Sequence, residues 1–256
     1  MQYKSNNIIN NFRKKLKKKY VTSAWMQLSN TNLTELLCAS YFDAVTFDFE
    51  HGVFSFKDLP DLVRVTELYD KVSLVRLPNK NLEFCKQALD AGVNGIIIPN
   101  IKSFNETKKI IDNCYLPPKG QRGVGFSRVN KFGKKFGNYI KRNFKPIIIP
   151  MIENIEGVND LDMILQLKEL DAILIGPYDL SASLKITGKF KHKQFKNTLN
   201  KIKLKCKNHR VPCGVHIIEP ELKNLKKLVK NGFKFLPYGI DTDIFNKSLT
   251  KIFKKK

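Results

Sequence analysis

Short apolar runs alternate with amphipathic stretches along this whole 256-residue sequence, and that alternation limits the folds open to the chain. Short apolar runs are typical of buried strands, whereas apolar residues spaced three and four apart are typical of helices that cover a sheet. The pattern predicts eight strands: Ser23–Leu28, Ala44–Asp48, Val72–Leu77, Gly95–Pro99, Pro146–Ile152, Ala172–Ile175, Cys213–Ile217 and Phe233–Tyr238. The helices predicted between them include Leu33–Ser40, Leu59–Tyr69, Leu82–Ala91, Phe104–Asn113 and Pro220–Lys230.

Eight strands that are each followed by helical sequence indicate an α/β fold, a single (β/α)₈ TIM barrel spanning residues 1–256. The rival fold, an open doubly wound sheet, usually has a glycine-rich turn after its first strand, but none of residues 29–32 is glycine. The segment before Ser23 is predicted to form an extra basic N-terminal helix that caps the barrel. The long connection Tyr115–Phe144 is rich in proline and glycine and is expected to form ordered turns.

The chain has 46 Lys plus Arg against 23 Asp plus Glu, a net charge of +23. Such a surplus can indicate contact with nucleic acid or a membrane surface, or a field that attracts anionic substrates. Most of the lysines fall on predicted outer helix faces, so a solvated surface is the favoured interpretation. A non-catalytic barrel that binds polyanions stays as the disfavoured alternative. The densest basic runs are residues 13–19 and 254–256.

Cysteine usage and hydropathy indicate a cytoplasmic protein. The five cysteines are odd in number and include no C-x-x-C pair, which argues against a disulfide framework and a zinc ribbon. No stretch approaches the roughly 20 apolar residues that span a bilayer. The polar residues Met1–Asn11 lack the apolar centre of a secretory signal. We therefore expect reduced thiols and no membrane partner.

Two acidic residues follow neighbouring predicted strands, at the end of the barrel where catalytic groups cluster. Glu153 follows the fifth strand and Asp179 follows the sixth. Such a pair of hard oxygen donors suits Mg²⁺ or Mn²⁺, with water or substrate oxygens completing the shell. The alternative is structural: Glu153 supplies negative charge at a helix start, and Asp179 caps the next helix.

His51 and Arg76 follow the second and third predicted strands on the same rim. His51 is a candidate general acid or base, or else a core histidine bonded to backbone. Arg76 could stabilise a developing anion, or form an ion pair with Asp48 or Glu50. His216, in the seventh predicted strand, could also point into the site. Because the inner strands are almost free of lysine, metal-assisted chemistry is favoured over a Schiff base.

Seven segments, in order, carry a resemblance to a known family. The sequence resembles the HpcH/HpaI aldolases of the phosphoenolpyruvate/pyruvate-utilising barrel superfamily. The matching segments are FDAVTFDFEHG (Phe42–Gly52), VRLPN (Val75–Asn79), ALDAGVNGIIIPNI (Ala88–Ile101), YLPPKGQRGVG (Tyr115–Gly125), PMIENIEGV (Pro150–Val158), DAILIGPYDLSAS (Asp171–Ser183) and YGIDTD (Tyr238–Asp243). The resemblance implies a class II aldolase that makes or breaks the carbon–carbon bond of a 4-hydroxy-2-oxo acid through a pyruvate enolate, with an aldehyde as the second product.

The resemblance also implies a role for individual residues. Glu153 and Asp179 would bind the metal, with Co²⁺ as a further candidate ion. Arg76 would bind the oxo oxygen, and Asp90 would orient a catalytic His51, while Asp48 and Glu50 would support the site from behind. The substrate carboxylate would lie at a helix start formed by Gly176, Pro177, Tyr178 and Asp179. A homo-oligomer, often a hexamer, is implied as well.

Some residues depart from the family pattern. Met151 stands where many members have glutamine, and Tyr178 where many have alanine. His216 and Glu219 replace part of an apolar wall and would favour a polar, hydroxylated acceptor, such as an aldehyde derived from a sugar. The alternatives within the superfamily are a 2-oxo acid decarboxylase and an acyl-CoA lyase, although the sequence shows no sign of a coenzyme A pocket.

Overall fold

A closed barrel of eight parallel strands forms the centre of the molecule. The computed structural model describes residues 2–141, 144–217 and 220–253. Each strand pairs in parallel with its neighbour in sequence, and β8 closes the ring against β1. The strands are β1 (Val21–Met26), β2 (Ala44–Asp48), β3 (Val72–Arg76), β4 (Gly95–Ile98), β5 (Ile147–Ile152), β6 (Ile173–Ile175), β7 (Cys213–Val215) and β8 (Phe235–Pro237). The predicted TIM barrel is confirmed.

Helices surround the barrel. They are α1 (Gln2–Lys18), α2 (Thr31–Cys38), α3 (Leu59–Leu68), α4 (Leu82–Ala91), α5 (Phe104–Asp112), α6 (Phe136–Lys141), α7 (Ile155–Asn159), α8 (Leu161–Ile164), α9 (Pro177–Ser183), α10 (Lys193–Asn208), α11 (Leu222–Lys230) and α12 (Asp241–Phe253). Side chains cap the starts of α2 and α5. Asn30 accepts a hydrogen bond from the Leu33 N–H, and Ser103 accepts one from the Glu106 N–H.

The predicted N-terminal helix is present and covers the amino end of the barrel. Ile9, Phe12 and Leu16 on α1 are buried in the same apolar cluster as Val72 and Phe235. These positions are spaced three and four apart, so they share one face of the helix. Since the amino-terminal face of a barrel generally serves stability, α1 acts as a lid that keeps water from the strand starts.

The connection between α5 and β5 is ordered where the structure describes it. A 3₁₀ turn at Arg128–Asn130 and the helix α6 interrupt it. The Arg128 guanidinium lies 2.6 Å from the Glu67 carboxylate, which ties the connection to α3. The prediction of ordered turns is confirmed for residues 115–141 and 144; residues 142–143 lie outside the described range.

The structure also bears on the predictions made for the cysteines, the membrane and the C-terminal basic run. All five cysteines are buried free thiols, as predicted. Among the described residues, no helix combines the length and the apolar character needed to cross a bilayer. The C-terminal basic run 254–256 lies outside the described residues.

Candidate active site

An arginine clamped between two carboxylates lies at the carboxyl end of β2 and β3. Asp48 and Arg76 are register partners on these strands. The Arg76 Nε and Nη2 groups donate to Asp48 Oδ1 and Oδ2 over 2.8 and 2.6 Å, and Nη1 lies 2.7 Å from Glu50 Oε2. The alternative reading of Arg76 as an ion-pair residue is thus correct for both suggested partners. A guanidinium held at three nitrogens has a fixed orientation.

Trp25, which the sequence analysis did not single out, forms part of this arrangement. Its indole N–H donates to Asp48 Oδ2 over 3.1 Å, and the Arg76 guanidinium lies 5.1 Å from its ring centroid. Burial opposes the ionisation of Asp48, yet Arg76 and Trp25 together hold the pKa of its carboxyl below the ordinary value. Trp25 is the only tryptophan of the chain and lies near the end of the first predicted strand, a signal that could have identified it.

Glu153 follows β5 and carries a buried carboxylate oxygen without a partner. Its Oε1 accepts a hydrogen bond of 2.5 Å from the Asn100 N–H, while Oε2 is buried and has no hydrogen-bond partner in the described part of the chain. Burial, followed by repulsion from Glu50 and Asp179, raises the pKa of Glu153 to about 7. The contact with Asn100 was not predicted either, because its donor is a backbone N–H group, which every residue except proline has.

Gly176 provides the space that this carboxylate occupies. A Cβ atom at Gly176 would lie 2.3 Å from Glu153 Oε2, so any other residue would displace the oxygen. Asp179 follows three residues later, exposed, in the first turn of α9. The helix begins at Pro177, a favoured first helical residue, so the suggestion that Asp179 caps the helix is wrong. Asn154, rather than Glu153, caps α7.

Three carboxylates therefore share one region of the rim. The negative charge of Asp179 raises the pKa of both Glu50 and Glu153, after burial, which is the larger cause for each. Mutual repulsion of this kind, with an unbonded buried oxygen, is what a divalent cation would relieve. Among the described residues, no group of three or more His, Cys, Asp or Glu side chains has metal-ligand geometry. A cation here would thus take Glu153 and Asp179 and complete its shell with other oxygens, which fits Mg²⁺ or Mn²⁺.

His51 is exposed on the same rim. Its backbone N–H donates to Asp48 Oδ1 over 3.2 Å, and its side chain lowers the pKa of Glu50 electrostatically. The alternative reading of His51 as a core histidine is wrong, because the side chain is exposed. An exposed imidazole next to the carboxylates is open to a substrate.

The structure places Asp90 away from this group. It lies in the last turn of α4 and lines a cavity of about 470 Å³ with Arg64 and Arg128 on the outside of the barrel. Burial raises the pKa of its carboxyl, and Arg122 and Lys86 act in the opposite direction. Within the described part of this chain no contact joins Asp90 to His51, so the expected pairing of the two is not found here.

His216 follows β7 and lies beside the clamped arginine. Its ring centroid is 4.4 Å from that of Trp25, and its buried Nε2 atom has no hydrogen-bond partner among the described residues. Burial lowers the pKa of His216 to about 4, and the charge of Arg76 acts in the same direction. Its imidazole is therefore neutral at physiological pH. Glu219, which was grouped with it, lies outside the described residues.

Tyr178 and Pro177 stand at the outer edge of the site. The Tyr178 side chain is 50% exposed and meets the Phe190 ring edge-on, with 5.0 Å between centroids. This contact holds a half-exposed aromatic side chain at the rim. Tyr178 can therefore contact a substrate that enters the site.

Comparison with known proteins decides the family. The family model described as HpcH/HpaI aldolase/citrate lyase matches residues 22–248. The chain belongs to this family. It is accordingly an enzyme of the carbon–carbon lyase class.

Individual relatives agree with this family. The 5-keto-4-deoxy-D-glucarate aldolase of Salmonella gallinarum is 30% identical over 89% of this chain and 89% of its own length. The structure of an HpcH/HpaI aldolase from Desulfitobacterium hafniense has a TM-score of 0.83 and 25% identity, covering 93% of this chain and 92% of that one. A family protein from Burkholderia cenocepacia has a TM-score of 0.89 at 21% identity, covering 96% and 98%. The last likeness concerns the fold alone.

Proposed function

We propose that this family member is a class II aldolase, which uses Mg²⁺ or Mn²⁺ to cleave or form 4-hydroxy-2-oxo acids and releases pyruvate and an aldehyde. The observation that carries the proposal is the buried, unbonded Glu153 Oε2 atom, which lies among like charges. Arg76, clamped on the neighbouring part of the rim, provides the fixed positive charge that enolate chemistry requires.

Each side chain then has a task. Glu153 and Asp179 hold the cation, which when bound supplies positive charge for the oxygens of a 2-oxo acid. Arg76 stabilises the negative charge that develops on the oxo oxygen, and the Asp48 and Glu50 carboxylates keep its guanidinium in place. His51, exposed on the rim, accepts the proton of the C4 hydroxyl as the C3–C4 bond breaks, and returns a proton in the reverse direction.

For the substrate we propose an open-chain acid derived from a sugar. The relative from Salmonella gallinarum is named for 5-keto-4-deoxy-D-glucarate, a compound of this class. The half-exposed Tyr178 and the unbonded Nε2 of the neutral His216 offer polar contacts for a hydroxylated acceptor. The backbone N–H groups of Tyr178 and Asp179 would hold the pyruvate carboxylate.

The exposed face of α12 supports a homo-oligomer as part of the proposal. Phe245, Ile252 and Phe253 are each more than 60% exposed, and Leu249 is 38% exposed. A contiguous apolar strip on a helix is usually covered by a partner. A second copy of the chain would bury it, and light scattering coupled to size exclusion would detect the resulting mass.

The test of the activity is the release of pyruvate from 4-hydroxy-2-oxo acids, followed with a coupled lactate dehydrogenase. We expect EDTA to abolish the signal and added Mn²⁺ to restore it. Glu153→Ala and Asp179→Ala should lose both Mn²⁺ binding and turnover. Glu156→Ala is the matched control, because this carboxylate is exposed and, among the described residues, its ion pair is with Lys102. Full activity in EDTA would refute the proposal that the activity depends on a metal. Release of carbon dioxide in place of an aldehyde would favour the 2-oxo acid decarboxylase alternative.

A further inference from the structure

A second, strongly basic cavity opens at the opposite end of the barrel from the candidate active site. It measures about 490 Å³, which is within the size range of small-molecule pockets. It lies between the end of α1, the second half of α10 and the segment that leads into β8. We propose that this cavity is a binding site for a small molecule that carries two or more phosphate groups.

Five cationic side chains from three distant segments line this cavity. They are Lys17 at the end of α1, Lys203, Lys207 and Arg210 in and just after α10, and Lys234 before β8. In the part of the chain that the structure describes, no carboxylate is among the lining residues. Charges of one sign around a concave surface raise the local potential and attract a counter-ion of the opposite sign.

The basic residues of the cavity have backbone or aromatic neighbours in place of acidic partners. Lys234 donates to the backbone carbonyl of Lys17, and Lys203 lies 5.3 Å from the Phe233 ring centroid. Among the described residues, none of the five cavity cations forms an ion pair with a carboxylate. On the same helix, Lys205 pairs with Asp162 over 2.9 Å but does not line the cavity. The five positive charges are thus left to be neutralised by a ligand.

The chemistry of the lining favours multiply phosphorylated small molecules over a single inorganic anion. Lysine and arginine together are the side chains that bind phosphate oxygens, the first as a point charge and the second as a fork. The charge of the five cations exceeds the roughly −2 that a single phosphate group carries. Apart from Asn231 and Gly232, the remaining wall consists of Val211, Pro212 and the buried Cys206 and Cys213, an apolar surface that can accept the non-phosphate part of a ligand.

The decisive experiment is isothermal titration calorimetry of the full chain with pyrophosphate and with ATP, in EDTA and at low salt. We expect saturable binding of one molecule per chain, weaker at higher salt because exposed charges are screened. Inorganic phosphate should bind more weakly than pyrophosphate. The double variant Lys207→Glu/Arg210→Glu should lower the affinity about tenfold for each reversed charge.

The control is Lys196→Glu/Lys201→Glu, which changes the net charge equally and lies on the same helix outside the cavity. It should bind pyrophosphate almost as well as the parent. The neutral double variant Lys207→Gln/Arg210→Gln covers the case that charge reversal prevents folding, which circular dichroism would reveal. Non-saturable binding, an equal loss in both charge-reversed variants, or binding of duplex DNA without binding of pyrophosphate would overturn the proposal.

Discussion

The candidate active site and the basic cavity, at the two ends of the barrel, differ in the charge of their residues. In the candidate active site, Asp48 and Glu50 contact Arg76, and Glu153 and Asp179 lie on the same rim, whereas five cations line a cavity with no carboxylate among its described lining residues. The net charge of +23 belongs to the whole chain and does not indicate how charge is arranged at either end of the barrel. The comparison teaches that the local arrangement of charge, rather than its sum, indicates what each end of the molecule can bind.

The first way to break this comparison is to alter the arginine that Asp48 and Glu50 hold at the carboxyl end. Arg76→Lys keeps the charge but loses the fork that binds both Asp48 oxygens. We expect kcat for pyruvate release to fall about 100-fold to 1000-fold, as for the loss of an oriented donor to a developing oxyanion. Arg64→Lys, at an exposed arginine paired with Asp61, is the control. A kcat close to that of the parent would mean that the orientation of this charge is unimportant.

A second change tests whether the amino end serves stability rather than turnover. Phe12→Ala removes a buried ring on α1, whose centroid is 6.5 Å from that of Phe235. We expect the free energy of unfolding in urea to fall by about 3 kcal/mol, with kcat per folded molecule unchanged. Asn10→Ala, on the exposed side of the same helix, should change neither. A loss of kcat in the folded Phe12→Ala protein would contradict this division of roles.

The third prediction concerns the pH dependence of stability in the metal-free protein. The pKa of Glu153 is raised from its ordinary value of 4.5 to about 7, so the folded chain keeps a proton there that the unfolded chain releases. Between these pH values, Glu153 therefore makes stability fall as pH rises, by at most about 3 kcal/mol. His216, whose pKa is lowered from 6.5 to about 4, has the opposite effect, because stability is lost as pH falls over that range.

Variants separate these two opposing effects. In denaturation curves recorded with EDTA between about pH 4.5 and 7, Glu153→Gln should gain stability with rising pH more steeply than the parent. His216→Phe should gain less, or lose stability. If Glu153→Gln and the parent show the same pH profile, the carboxyl does not titrate in this range.

The smallest expected effect belongs to the ion pair that ties α1 to the barrel. The Arg13 Nε atom lies 2.6 Å from Asp171 Oδ1, and Nη2 donates to the Pro146 carbonyl. Because the pair is partly exposed, Arg13→Ala should lower the free energy of unfolding by about 1 kcal/mol. Thermal unfolding against Lys14→Ala, an exposed neighbour, would measure it. Equal melting temperatures for the two variants would show that the apolar face alone holds the helix.

The sequence predicted those parts of the fold that follow from local periodicity. Strand β2 and helix α4 have the predicted bounds residue for residue, since continuous burial and a clear apolar face mark them. Strand β7 ends at Val215 rather than Ile217. The apolar run continues because Ile217 is still buried, although only an isolated bridge to Tyr238 pairs it. Buried residues continue beyond the last residue that pairs in the strand. Hydrophobicity in the sequence indicates burial rather than pairing, so it predicted a longer strand.

The candidate site was predictable only in part. Positions at or directly after strand ends, such as Arg76 and Glu153, lie on the same rim as expected because the carboxyl ends of parallel strands share it. The Asn100 N–H that binds Glu153 is a backbone group, and the basic cavity joins residues as distant as Lys17 and Lys234. The prediction that Asp90 lies beside His51 came from the family resemblance. That resemblance matches residues along the sequence and gives no information on which side chains surround α4 within one chain. Contacts of these kinds depend on tertiary structure alone.

The lone tryptophan of the chain has a practical consequence. Trp25 donates to Asp48, packs against the tilted ring of His216 and lies under the Arg76 guanidinium. Fluorescence that is excited selectively in the indole would therefore report changes at the carboxyl end of the barrel only, without any attached dye. A molecule that disturbs the contacts of Arg76 should change the fluorescence of Trp25. A molecule that enters the distant basic cavity should leave that fluorescence unchanged, so a single fluorescence titration would distinguish the two binding sites.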